Sequence, residues 1–136
     1  MAIVAELIRN EADGKLSFGD YSLAQKAKKE DFEHEGDLFK VKTFSTMTKL
    51  EKNGLFVYES VPGTSVTEFA ETSKGVVFAV EGAEDAQITL GLEEDTAYEV
   101  FIDGASMGKI KTNLGGKLSV SVELAAGREV KVEVRK

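Results

Sequence analysis

The single imidazole of the chain, His34, lies in its densest acidic run, Lys29-Glu30-Asp31-Phe32-Glu33-His34-Glu35-Gly36-Asp37. An imidazole among carboxylates suits a general base or a metal ligand, because it gains and loses its proton near neutral pH. A solvated loop accounts for the same residues. With no cysteine and no second histidine, zinc here would need three carboxylates, an uncommon ligand set. Two further acidic groups, Glu81-Gly82-Ala83-Glu84-Asp85 and Glu93-Glu94-Asp95, sit at turns, where oxygen-rich loops hold calcium in some β-sandwiches. They lack the Asp-x-Asp-x-Asp-Gly spacing of a dedicated calcium loop and read as charged hairpin ends. Ser17, Ser45, Ser60 and Ser119 have no nucleophile motif around them. Sugar platforms would have to come from Tyr21, Phe39, Tyr58 or Phe101, which are better explained as core. No residue is therefore assigned to catalysis, to a cofactor or to a metal.

A different signal lies at the amino terminus. Residues 3–8 are apolar and strand-forming, with no tight turn leading to a partner. A strand of this kind pairs with its own sheet or with the edge of a neighbouring subunit. On the second reading, Ile3, Val4, Leu7 and Ile8 form an interface and the protein is a homo-oligomer. At the other terminus the alternating strand of residues 130–134 is a natural edge, protected by Lys131, Arg135 and Lys136.

Composition narrows the classes. The chain has 136 residues, 42% of them hydrophobic, enough for one domain or for two small sheets with a common core. Its 24 acidic and 17 basic side chains leave a formal charge of −7, which repels nucleic-acid phosphates and anionic lipid. Neither nucleic acid nor membrane is an expected partner. The first ten residues lack a basic n-region, and Glu6 breaks their apolar run, so no signal peptide is read. No window approaches the roughly 20 apolar residues of a spanning helix. The expected location is cytoplasmic.

The elements that must position these residues are strands. Asp13-Gly14, Gly36-Asp37, Asn53-Gly54, Pro62-Gly63, Lys74-Gly75, Asp103-Gly104, Gly115-Gly116 and Ala126-Gly127 separate runs of apolar alternation at hairpin spacing. Period-two alternation is clearest over residues 118–124 and 130–135. Residues 21–29 read as a short helix or a charged loop. The predicted fold is all-β, a β-sandwich of jelly-roll or barrel-like form, with at most one short helix. The single proline, Pro62, divides an amino-terminal β unit (1–62) from a carboxyl-terminal sandwich unit (63–136), packed as one globule.

The stretch Leu92-Glu93-Glu94-Asp95-Thr96-Ala97-Tyr98-Glu99-Val100 resembles the segment of fibronectin type III and related immunoglobulin-like sandwiches in which a leucine precedes a turn and a strand tyrosine. That resemblance spans residues 66–136 and implies a tyrosine corner, with the Tyr98 hydroxyl bonded to nearby backbone. Glu94 stands where proline is common, and the core tryptophan is missing. The whole chain is also similar to small bacterial proteins that carry the automatic label endosialidase. The similarity implies carbohydrate binding or processing, yet only Arg9, Arg128 and Arg135 are on hand to hold carboxylates, and no Ser-x-Asp-x-Gly-x-Thr-Trp box is present.

Together these observations lead to a non-enzymatic, self-associating β-sandwich with a structural or assembly role. Carbohydrate binding or processing is the alternative.

Overall fold

A computed structural model describes residues 3–136. Thirteen strands form: β1 (Ile8–Asn10), β2 (Leu16–Phe18), β3 (Ala27–His34), β4 (Asp37–Thr43), β5 (Thr48–Lys52), β6 (Leu55–Val61), β7 (Thr64–Glu71), β8 (Gly75–Gly82), β9 (Ala86–Gly91), β10 (Ala97–Ile102), β11 (Ala105–Lys111), β12 (Lys117–Val122) and β13 (Val130–Arg135). They make two antiparallel sheets packed face to face, not a closed barrel. One has seven strands in the order β1-β2-β7-β8-β13-β10-β11, and the other six in the order β12-β9-β6-β5-β4-β3.

Turn chemistry sets the hairpins. Glu35-Gly36 (φ +50° and +85°), Asn53-Gly54 (+52° and +80°) and Asp103-Gly104 (+50° and +83°) each place two consecutive residues in the left-handed region. This is the type I′ geometry whose twist matches that of the flanking strands, and glycine enters it without a Cβ clash. The hairpin expected at Asn53-Gly54 is therefore present, joining β5 to β6.

Strands before Pro62 and strands after it lie side by side, and each group supplies both sheets. β1 and β2 join the seven-stranded sheet through β7, while β3 to β6 meet β9 in the six-stranded one. One hydrophobic core runs through both groups. Phe18, Leu50, Tyr58, Val66 and Phe78 fill one side, and Leu90, Val100, Leu118, Val132 and Val134 the other.

Three expectations differ from the fold. The strand of residues 130–134 is not an edge: β13 lies between β8 and β10, because Val130, Val132 and Val134 are buried in the core and both of its sides are paired. No helix forms over residues 21–29: turns and bends occupy 21–26, and β3 begins at Ala27. The sequence hides β3 because its pairing with β4 shifts register between Lys29 and Phe32, with Asp31 at φ +55°. A bulge of this kind reverses the side-chain parity within the strand. Likewise, residues 3–7 are not strand. The chain turns at Leu7 (φ +74°), and pairing begins only at Ile8, with β2.

Candidate interaction surfaces

Each residue singled out for chemistry has a structural placement. His34 ends β3, half-buried, with Nδ1 bonded to the Asn10 side-chain oxygen and its ring edge-on to Phe39 at 5.6 Å. It lines a shallow cleft with Asp13, Lys15, Glu35, Lys52 and Glu71. Asp37 also lines the cleft, which thus holds four carboxylates and two lysines, and among the described residues no three His, Cys, Asp or Glu side chains gather as a cation site requires. The two acidic turns lie at opposite ends of β9, one before Ala86 and one after Gly91. Asp85 accepts the Leu124 amide at 3.0 Å, while Glu93 and Asp95 pair with Lys136 and Lys111. The tyrosines and Phe39 are core residues, as is Ser60; Phe101 is half-buried beneath Arg135, 4.6 Å above its ring.

Tyr98 is 2% exposed, and its hydroxyl accepts the Glu93 amide at 3.2 Å, tying β10 to the turn before it. Near Asp13, a carboxyl–carboxyl contact with Glu68 holds the Asp13 pKa below the ordinary range and pushes that of Glu68 up. Both are half exposed beside Lys15.

A feature the sequence did not reveal is a chain of hydroxyls between the sheets. The Tyr58 and Ser60 hydroxyls each meet Thr64 Oγ1 at 2.7 Å. Thr48 Oγ1 donates to the Thr64 carbonyl at 2.8 Å and accepts the Thr64 amide at 3.1 Å. Thr43 bonds to Thr48 at 2.8 Å and accepts the Asp20 amide at 2.9 Å. Thr64 belongs to one sheet, and Tyr58, Ser60, Thr48 and Thr43 to the other. Burial raises the Tyr58 pKa well above the ordinary tyrosine value, so its hydroxyl stays protonated. Tyr21 is raised likewise, by burial and by its hydrogen bond to Glu81. This network is scaffold: its members are buried and satisfied within the protein.

The amino-terminal candidates are placed as follows. Val4 and Ile8 are fully buried in the protein's own core. Leu7 is half-buried and packs against that core, and Ile3 is half-buried. Val4 also donates its amide to the Gly19 carbonyl at 3.0 Å.

What the fold leaves open is the outside of the six-stranded sheet. Its outer face carries a transverse row, because Lys28 pairs with Lys42, and Lys42 with Lys49. Like charges in adjacent cross-strand positions disfavour the sheet unless something offsets them. Next along the row lies Glu59, opposite Lys49. Phe56 is on the same strand as Glu59, with Lys117 4.6 Å from its ring centre and Lys49 at 5.9 Å. Gly91 makes room for this arrangement: a Cβ there would fall 2.3 Å from the Phe56 carbonyl oxygen.

The same sheet ends in β12, paired with β9 over all six residues without a register shift. Lys117, Ser119 and Ser121 face outward and exposed, whereas Leu118 and Val122 are buried and Val120 is half-buried. Nothing within β12 blocks further pairing, since it has no proline, bulge or inward charge.

No family model, curated protein or solved structure matches this chain.

Proposed function

We propose that the protein is a non-enzymatic β-sandwich that associates with itself and serves as the subunit of an assembly. One observation supports this above the others: the six-stranded sheet ends in a regular strand, charged only at Lys117 where it begins, that offers its backbone to a partner. Edge strands of monomeric sandwiches ordinarily carry charges, bulges or covers against such pairing. Val4 and Ile8 already lie within the subunit's own core, so the contact we favour lies away from the amino-terminal segment. The test is the native mass of the full chain by light scattering over a wide concentration range. A mass above that of one chain, rising with concentration, is expected; a strict monomer at micromolar and higher concentration would remove the reading.

A second reading, carbohydrate binding, draws support from the lysine row and Phe56 on the outer face of the six-stranded sheet. Lys117 covers the Phe56 ring, so stacking of a neutral sugar is disfavoured, and a carboxylate-bearing glycan suits the row better. Titration with an oligosialic acid and with a neutral glycan of equal length distinguishes these. Only the acidic one should bind, and the double substitution Lys42→Glu with Lys49→Glu should abolish it.

A further inference from the structure

The two sheets have four edge strands, and they are not alike. β1 is three residues long, and Asn10 ties it to the Glu33 carbonyl of β3. β3 carries Lys28, Lys29, Glu30, Asp31 and Glu33 and is bulged at Asp31. β11 carries Lys109 and Lys111, has Gly108 at φ +92°, and pairs with β10 across a register shift. Short length, charge and bulges are the ordinary protections of an edge. β12 has none of them beyond Lys117 at its start.

Its backbone is also oriented for pairing. The Leu92 amide donates to the Gly116 carbonyl at 2.8 Å, so the even-numbered residues of this stretch direct their main-chain groups at β9. Odd-numbered residues direct theirs to the open side. The Asn113 amide and side chain satisfy Lys117, which leaves the N–H and C=O groups of Ser119 and Ser121 facing an edge where, among the described residues, no strand lies.

We propose that β12 pairs antiparallel with β12 of a second copy, about a two-fold axis through Val120, joining the two six-stranded sheets into one. This rests on the self-association proposed above and names its surface. The strand is complementary to itself in that register. Ser119 lies opposite the partner's Ser121, and the symmetry-related pairs exchange both main-chain bonds. Leu118 lies opposite the partner's Val122 on the inner face, and half-buried Val120 is covered by its own counterpart. Asn113 occupies the main-chain groups of Lys117, so the ladder ends at Leu118 and the partner's Val122; beyond each end the Lys117 side chain turns from the Phe56 ring to meet the partner's Glu123, twice by symmetry. Moving the centre to Ser119 would set Lys117 against a serine and lose both charge pairs, which selects the Val120-centred register. Met107, 55% exposed on β11, lies beside Ser121 and Val122 and supplies apolar cover at the rim of the junction.

The test uses the full chain and reads mass against concentration by sedimentation, with circular dichroism as the check on folding. Ser119→Pro removes an N–H that faces the open edge and breaks no bond to β9, a position where sheets accept proline. It should remain folded and become monomeric. The register is tested separately by Lys117→Glu and Glu123→Lys. Each alone sets like charges opposite one another and should weaken association about three- to tenfold, while the double substitution should restore it. These charge variants also decide the matter if Ser119→Pro fails to fold. A folded Ser119→Pro protein that keeps its mass overturns the role of β12 and leaves self-association to another surface. Charge variants without effect, or a double variant that fails to recover, overturn the register. A wild-type chain that is monomeric throughout overturns both this inference and the self-association it rests on.

Discussion

The strands up to β7 and those from β8 onward occupy opposite sides of the same two sheets, yet they hold them together by different means. On the first side the sheets meet through the hydroxyl chain from Thr43 to Tyr58, and the edge is closed by β1 against β3. On the second, alternating Val130, Val132 and Val134 share the buried core with Ile88, Leu90 and Leu118, and the edge at β12 is open. Directional bonds fix one arrangement of two sheets, whereas apolar layers fix mainly their spacing. The first side also holds most of the non-glycine residues at positive φ: Leu7, Asp31, Glu35, Asn53 and Glu68 there, against Asp95 and Asp103 on the second. A sandwich built this way is closed and particular at one side, and regular and extensible at the other.

The strongest challenge to that contrast is removal of residues 2–8. Val4 and Ile8 are both fully buried, and withdrawing two such side chains should cost about 3–6 kcal/mol. Denaturant titration should show the first side destabilised or unfolded. A folded protomer of unchanged stability would mean that β1 does not close the edge beside β3.

Tyr58→Phe tests the hydroxyl chain itself. It removes one of the two hydroxyl partners of the buried Thr64 Oγ1, Ser60 being the other, and should cost about 1–3 kcal/mol in chemical denaturation. The variant also carries a signature in pH. Because the folded protein holds the Tyr58 pKa above its unfolded value, the associated stability is present below about pH 10 and is lost as pH rises beyond that. Alkaline unfolding should therefore be less steep in the variant than in the wild type. Equal slopes would show that this tyrosine does not govern the alkaline limit.

On the second side, Tyr98→Phe removes a single bond to the Glu93 amide and should cost about 0.5–1.5 kcal/mol. A loss as large as that at Tyr58 would erase the distinction between a side tied by polar groups and one tied by apolar packing.

The smallest effect is expected at Glu11. The Ser17 hydroxyl, and then Arg9, hold its carboxyl below the ordinary range. The stability this supplies is present above the usual glutamate pKa and fades as pH falls through the lower folded value. Glu11→Gln should therefore flatten the acid limb of the stability profile by lowering stability modestly at neutral pH while leaving it nearly unchanged at low pH. An unaltered acid limb would show that the β1–β2 corner contributes nothing there.

Legibility in the sequence followed the same division. On the second side β12 and β13 show strict alternation, and the structure keeps both. Asn53-Gly54 and Asp103-Gly104 announce their turns because few residues accept consecutive positive φ angles. On the first side β3 was obscured by its bulge, since a single inserted residue interrupts the alternation by which a strand is recognised. The amino-terminal segment suggested a strand because its residues are apolar, but Val4 is buried from a turn and not from a ladder. The hydroxyl chain left no local sign, as Thr43, Thr48, Ser60 and Thr64 look like ordinary strand residues until the two sheets face each other.

The sequence by itself determined that this is an all-β chain in two layers, because side-chain alternation and glycine turns are local and repeat over short spans. It also determined the strongly acidic balance and the scarcity of groups suited to chemistry. Only the tertiary structure decided which strands end the sheets, which hydroxyls meet between them, and that Lys28, Lys42 and Lys49 stand in one row. Those facts depend on pairing between residues far apart in the chain. No local pattern encodes strand order, so the open edge of β12 becomes visible only when every other strand has found its neighbour.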